Sequence, residues 1–291
     1  MTDVFDGPRV VRTAAELRAL AGSVALVPTM GALHDGHVQL MKHARPLADT
    51  LVVSIFVNPT QFAEGEDFTE YPRTFEDDLA RCAEADVDVV FAPTVDVMYP
   101  SGHGAGQVTV DPGPLGSVLE GAVRPTHFRG VLTVVAALFG LVRPDVAVFG
   151  EKDYQQLGLI RRMVDTLCLG VEVVGCPTVR EADGLAMSSR NRYLGPEDRQ
   201  RAAAVPRALD AGVAAGPQGA DAVLAAVHGV LAAAGIDPDY VALTSPDLGE
   251  HGGSGEARLL VAARVGAPRL LDNRAVHLGD PTSGTTPSEG A

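Results

Sequence analysis

Val24-Ala25-Leu26-Val27-Pro28-Thr29-Met30-Gly31-Ala32-Leu33-His34-Asp35-Gly36-His37 runs from an apolar stretch, through a proline and small residues, to two histidines. An amphipathic stretch over residues 38–44 follows directly. That order predicts a strand over 24–27, a tight loop, and a helix that starts at the histidines. Open parallel sheets bind ligands at turns of this kind. At a helix start, orphan backbone N–H groups, the positive dipole end and imidazole donors together favour an anion. Gly36 between the histidines lets a backbone approach closely. A phosphate chain is the ligand this spacing fits. The competing reading is a pair of histidines that caps a helix for structural reasons only.

The same grammar repeats along the chain. Apolar runs over 51–57, 87–92, 146–149 and 171–174 read as strands, and 36–45, 74–85, 130–142 and 154–169 as helices between them. Thr74 with Asp77 resembles a capping box for the second helix. Strands that are apolar throughout, separated by helices, imply a parallel sheet covered on both faces, hence an α/β, Rossmann-like doubly wound fold. After Pro177 the character changes. A polar loop over 178–193 leads to alanine-rich helices over 196–215 and 220–234, then to short strands over 240–244, 257–265 and 269–272. The expected domains are residues 1–178, Rossmann-like, and 179–279, a smaller α+β lid. Residues 280–291, rich in Gly, Ser, Thr and Pro, read as a disordered tail. Residues 108–119 are a loop or edge element with no clear place.

Composition narrows the function. The chain has 291 residues, 46% of them hydrophobic, with mean hydropathy +0.13, enough for one or two full cores. A formal net charge of -14 argues against nucleic acid or an anionic membrane as partner. Lys152, Arg124, Arg129 and Arg190 nevertheless lie in the motif segments, which suits a small anionic ligand. Cys82, Cys168 and Cys176 are odd in number and lack CxxC spacing, so disulfides and zinc are not expected, and all three read as core residues. Charges at Asp3, Asp6, Arg9 and Arg12 interrupt any secretory signal, and the apolar run 131–142 is too short for a bilayer. A soluble cytoplasmic protein is expected.

Three further segments carry chemistry. Phe149-Gly150-Glu151-Lys152-Asp153-Tyr154-Gln155-Gln156 follows a buried strand and enters a helix; Lys152 there can reach a phosphate, and Gly150 lets the backbone approach a ribose. Gly184-Leu185-Ala186-Met187-Ser188-Ser189-Arg190-Asn191 sets two hydroxyls before an arginine on a loop, a mobile phosphate clamp. In Ile55-Phe56-Val57-Asn58-Pro59-Thr60-Gln61-Phe62, the neutral Asn58 and Gln61 can orient a small hydroxylated or carboxylated substrate and leave its carboxylate nucleophilic. An ordinary turn is the plain alternative for each. No Walker A loop occurs, and Gly102-x-Gly104-x-Gly106 lacks the strand–helix context of a dinucleotide fingerprint.

Taken together, PTMGALHDGH, SIFVNPTQF, RPTHFRGVLTVV, FGEKDYQQL and PTVREADGLAMSSRNRYL resemble the pantothenate synthetase (pantoate–β-alanine ligase) family, over about residues 24–273. The resemblance implies a ligase of pantothenate biosynthesis in the HIGH-type nucleotidyltransferase superfamily. Such an enzyme makes a pantoyl adenylate from ATP and (R)-pantoate with release of pyrophosphate, and β-alanine then displaces AMP. It implies ATP and Mg2+ as cofactors, a homodimer, and no nucleic-acid or membrane partner. Carried over by position, Met30, Gly31, Ala32, Leu33, His34, Asp35, Gly36 and His37 line the ATP site, with His37 in a proton-donor role and His34 on phosphate. Gly150, Glu151, Lys152 and Asp153 hold ribose and phosphates. Val179 and Met187 touch adenine, and Ser188, Ser189 and Arg190 clamp the phosphates. Gln61 and Gln156 bind pantoate, with Gln61 also marking the β-alanine position and Asn58 beside it. His37, His34, Lys152 and Arg190 carry catalysis. Thr60 stands where some members have Met. Asp77 and Asp78 could be read as a magnesium site, but Arg81 one turn on would repel a cation, so a solvated helix face is expected and the metal is held by ATP oxygens and water. A nucleotidyltransferase that keeps AMP in its product, and a silent nucleotide-binding module, are the rival readings.

Overall fold

The computed structural model describes residues 7–62, 68, 71–104 and 106–279. The chain folds as two compact units: Met1–Val179 with Met187–Ser189, and Arg180–Ala186 with Arg190–Ala291. The tail expected over 280–291 lies outside the described residues.

The larger unit is built on six parallel strands: β1 (Arg9–Val11), β2 (Val24–Thr29), β3 (Thr50–Ile55), β4 (Val89–Phe91), β5 (Val146–Gly150) and β6 (Glu172–Cys176), in the order β1-β4-β3-β2-β5-β6. Its helices are α1 (Ala14–Leu17), α2 (Asp35–Ala44), α3 (Phe75–Ala83), α4 (Val95–Met98), α5 (Glu120–Val123), α6 (His127–Val142) and α7 (Tyr154–Leu167). Leu26, Leu51, Val52, Val53, Val90 and Phe91 have 0% exposure, which is why these strands show no polar alternation. Helix α2 sets Val38, Met41 and Ala44 on the core, and α6 buries most of its length. The chain goes outward from β2 to β3 and β4, then crosses to β5 on the other flank of β2. The order therefore reverses between β2 and β5, and the crevice at their carboxyl ends is the binding position of such sheets.

Pro28 opens that crevice. The strand does not stop at the proline, as the sequence suggests, but continues to Thr29, because Pro28 and Thr29 still pair with Ser54 and Ile55 of β3. Pairing with β5 ends at Leu26↔Ala147, two residues before the proline that has no N–H to donate.

The smaller unit contains α8 (Pro196–Ala202), α9 (Ala204–Ala215), α10 (Ala220–Ala233) and an antiparallel sheet β7 (Pro238–Thr244), β8 (Gly255–Arg264), β9 (Arg269–Leu278). Leu209, Val223, Val227, Leu231, Leu259 and Val261 fill its core. The third strand extends well past the short run read from sequence, since Arg269–Leu278 pairs with all of β8.

Three expectations fail. Thr74 is the N-cap of α3 but makes no cap hydrogen bond; its hydroxyl turns to Asp78 Oδ1 at 3.3 Å. Asp78 is not on a solvated face: it is 2% exposed. Cys168 is exposed, whereas Cys82 and Cys176 are buried, because Cys168 is the left-handed residue that ends α7. The unplaced segment around 108–119 is a loop with one 3-10 turn, Pro114–Ser117. Buried Gln155 fastens that turn by donating to Leu115 O and Val118 O, both at 2.8 Å, and accepting from Glu120 N at 3.0 Å.

Candidate active site

The loop after β2 closes on itself through its two imidazoles. His34 is the N-cap of α2, and its Nδ1 accepts from Gly36 N at 3.1 Å. His37, one turn on, returns its Nδ1 to His34 N at 3.2 Å. The ring centroids lie 4.0 Å apart. This is a capping box made from two histidines. It also settles the tautomers: each Nδ1 must be unprotonated to accept, so the proton of each neutral ring sits on Nε2. Gly36 follows from the same contact, since a Cβ there would lie 2.8 Å from His34 Cε1.

One element of the anion site read from the sequence changes. The amides of His34 and Gly36 are occupied by the imidazoles, which leaves the ring protons on Nε2 rather than these backbone N–H groups as the donors of the histidine pair. His37 cannot supply charge: burial, then His34, then Lys152 push its pKa down to about 3, against the pull of Asp153. Positive charge comes from Lys152 on the 3-10 turn Glu151–Asp153 at the end of β5, where Nζ pairs with Asp153 Oδ1 at 3.1 Å. Gly150 has an ordinary φ of -74°, and a Cβ there would meet only Leu40 Cδ2 at 4.0 Å. Its value is the open space above the backbone rather than a special conformation.

Gly31 and Ala32 both have positive φ, +78° and +50°. Thr29 Oγ1 accepts from Gly31 N at 3.2 Å and donates to Ser54 O at 2.7 Å. Asp78 then takes the next two amides, Ala32 N on Oδ2 at 3.1 Å and Leu33 N on Oδ1 at 2.7 Å. Asp35, on the first turn of α2, pairs with Arg81 at 2.9 Å.

Val179 and Met187 are joined by Met187 N→Val179 O at 2.9 Å, and a Cβ on Gly36 would lie 3.5 Å from Met187 Cβ. The sequence-distant 187–189 segment, with Ser188 and Ser189, therefore sits beside the histidine loop within the larger unit. Arg190 belongs to the smaller unit, on the 3-10 turn Ser189–Tyr193. Within that unit, Arg180 bonds Asp272 through both terminal nitrogens, at 2.6 and 2.8 Å, and Arg199 holds Glu181 and Asp183.

Beyond β3, Gln61 ends the 3-10 turn Pro59–Gln61. Its Nε2 donates to Met30 Sδ at 3.1 Å, a weak acceptor, and its Oε1 accepts from Asn58 at 3.1 Å. Arg124 and His127 both reach Gln61 O, at 3.4 and 3.0 Å. Asn58 is 1% exposed and is used from within: Nδ2 also donates to Gly130 O at 3.2 Å, and Oδ1 accepts from Thr60 N, Thr60 Oγ1 and Tyr99 OH at 3.2, 2.9 and 2.7 Å. Asn58 stands behind Gln61 as its support. Gln156 lies half-buried on the first turn of α7. Sequence reasoning misplaced Asp78 and passed over Tyr99 and His127. Only the RPTHFRG motif carried a signal for the last.

Among the described residues no group of three or more His, Cys, Asp or Glu could hold a metal ion, and no helix is long and apolar enough to cross a membrane.

A family model described as pantoate-beta-alanine ligase matches residues 4–275. A pantothenate synthetase of Nocardioides is 57% identical over 276 residues, covering 91% of this chain and 82% of that protein. One from Thermobifida fusca is 56% identical over 280 residues, covering 91% and 95%. Among solved structures, pantothenate synthetase from Thermus thermophilus superposes with a TM-score of 0.86 at 50% identity, covering 91% of this chain and 98% of that one. Pantoate-beta-alanine ligase from Francisella tularensis, complexed with beta-gamma ATP and beta-alanine, gives 0.77 at 32% identity, covering 92% and 97%.

Proposed function

We propose a residue-level mechanism from the premise that this chain belongs to the pantoate–β-alanine ligase family. Its reaction is the ATP-dependent condensation of (R)-pantoate with β-alanine to pantothenate. In the first step a pantoate carboxylate oxygen attacks the α-phosphorus, the bond to the β-phosphate oxygen breaks, and pyrophosphate leaves with the electron pair. In the second, the neutral amine of β-alanine attacks the acyl carbon, AMP departs, and the amine nitrogen loses a proton.

The observation that carries this reading is the interlocked histidine pair beside Lys152. Two anions must meet in the first step. Preorganised Nε2–H donors and one ammonium can stabilise charge as it builds on the phosphates without reorganising. Gln61 suits the nucleophile: its amide can exchange the weak Met30 sulfur for a pantoate oxygen while staying neutral, so the carboxylate keeps its reactivity. Gln156 is proposed as the second pantoate contact, and Val179 and Met187 as adenine contacts. Ser188, Ser189 and Arg190 are proposed as phosphate ligands, Arg190 on its sequence motif alone. Mg2+ is proposed to arrive on ATP oxygens and to keep much of its water, because the carboxylates near the loop are engaged: Asp78 by amides, Asp35 by Arg81, Asp153 by Lys152. When bound it supplies Lewis-acid screening of the phosphates.

A homodimer is proposed from the family membership alone. A cytoplasmic location accords with free cysteines and the family's metabolic role.

The deciding assay is β-alanine-dependent AMP release alongside pyrophosphate–ATP exchange. His37→Ala and Lys152→Ala are each expected to lower exchange at least about a hundredfold with circular dichroism unchanged. Near wild-type exchange in both overturns the assignment. AMP retained in the product indicates a nucleotidyltransferase, and no exchange in the wild type indicates a silent nucleotide binder.

A further inference from the structure

We propose that Asp78 is a positioning residue for the histidine pair: an internal anion that occupies the concave backbone of Gly31–Leu33 and so sets where His34 and His37 stand. The inference rests on the adenylation reading above, and its main readout does not.

The turn through Gly31 and Ala32, at φ +78° and +50°, aims the N–H groups of Ala32 and Leu33 to one side, and backbone donors held together by a turn in this way make an anion-binding nest. In a phosphate-binding protein the nest usually faces the ligand. Here it faces inward, and both amides are taken by the two oxygens of one carboxylate, at 3.1 and 2.7 Å. Thr74 Oγ1 adds a third donor at 3.3 Å, and the side chain is out of water at 2% exposure. The missing Cβ of Gly31 makes room for it, since one would lie 2.9 Å from Asp78 Oδ2. From Leu33 the chain enters His34, whose backbone N–H and imidazole are both in the capping box. A shift of the nest therefore moves the Nε2 donors directly. The same bonds leave Asp78 poorly placed to act as a metal ligand, although an Asp77–Asp78 pair suggests one from the sequence. Asp77 itself is exposed.

Asp78→Asn keeps one oxygen acceptor and sets an amide N–H2 against the other backbone N–H. Nitrogen-15 NMR of the imidazoles reads the consequence. The wild type is expected to show Nδ1 unprotonated and Nε2 protonated in both rings, and the variant to show broadened or mixed tautomers. The kcat for pyrophosphate exchange is expected to fall about a hundredfold, the effect of an ångström-scale misplacement. KM for pantoate and the Mg2+ concentration giving half-maximal rate are expected to hold. Asp77→Asn is expected to leave all of these unchanged. Sharp, wild-type imidazole signals with a normal kcat overturn the proposal. So does a raised Mg2+ requirement with recovery in excess Mg2+, which makes Asp78 a metal ligand. If Asp78→Asn fails to fold, Gly31→Ala tests the same nest with the carboxylate intact: mixed tautomers support the proposal, and unchanged tautomers overturn it. A wild type that lacks exchange but shows fixed tautomers refutes the adenylation reading and spares this one.

Discussion

At the scale of single residues, the chemistry depends on which groups are charged. His37 has a folded-state pKa near 3 against an ordinary 6.5, because burial and two basic neighbours disfavour its cation. The unfolded chain therefore binds a proton between those values that the folded chain does not. Stability attributable to His37 is full above about pH 6.5 and falls as pH drops toward 3. We expect the acid limb of a urea-denaturation series to flatten in His37→Gln, measured from pH 7 to 4. The ring signals of His37 should not titrate over that range in the wild type. Cysteine chemistry divides in the same way. Burial, reinforced by the charge of Asp78, pushes the Cys82 thiol up to about 12, and burial raises Cys176 as well. Thiol labelling of the native protein should therefore stop at Cys168, and modification of Cys82 without denaturant would contradict the structure. The histidine pair was legible in the sequence because HxGH spacing places both rings at the start of one helix, although the capping box they form there is the structural use that spacing also allows. Asp78 was not, because nothing in its neighbours Asp77 and Arg81 reveals that its carboxylate points inward to a loop 45 residues away.

At the scale of elements, small departures from regular pairing make the site. Pro28 in β2 ends its ladder with β5 and leaves the carboxyl ends of two neighbouring strands apart. Gly130 does comparable work on α6, letting the helix touch the turn that carries Gln61: a Cβ there would lie 2.2 Å from Thr60 O. Gly130→Ala should force the two elements apart, with about 1–3 kcal/mol lost in denaturant titrations. KM for pantoate should rise as Gln61 shifts. An unchanged KM would show that this packing does not position the glutamine. Strands β2 to β6 and helices α2, α3, α6 and α7 were readable to within a few residues, since buried parallel strands are apolar at every position and the longer helices carry a period. Strand β1 and the one-turn helices α1, α4 and α5 escaped notice because three or four residues carry no periodicity. The capping box at Thr74 misled because Asp78 captures the hydroxyl that local sequence assigns to the helix end.

At the scale of the whole molecule, each unit has a hydrophobic core of its own. In the smaller one, the Arg180–Asp272 pair holds a loop segment to β9, with the Asp272 side chain 1% exposed. Removing one partner leaves a buried charge uncompensated, at a cost of about 3–5 kcal/mol. Asp272→Ala should accelerate amide hydrogen exchange across β7, β8 and β9 while β2, β3 and β5 keep their protection. Equal acceleration in both sheets would show that the units do not unfold separately. By itself the sequence determined the fold class, the motif set and the chemical class of ligand, because hydrophobic period and short functional spacings are local properties. Tertiary structure alone decided that the imidazoles cap one another through Nδ1, that the amides of His34 and Gly36 are already taken, and that Asn58 and Asp78 are buried, their side chains bonded to the turn of Gln61 and to the 31–33 loop. Those outcomes depend on which donor meets which acceptor across long sequence separations, and on how much water reaches them, and no local pattern encodes either.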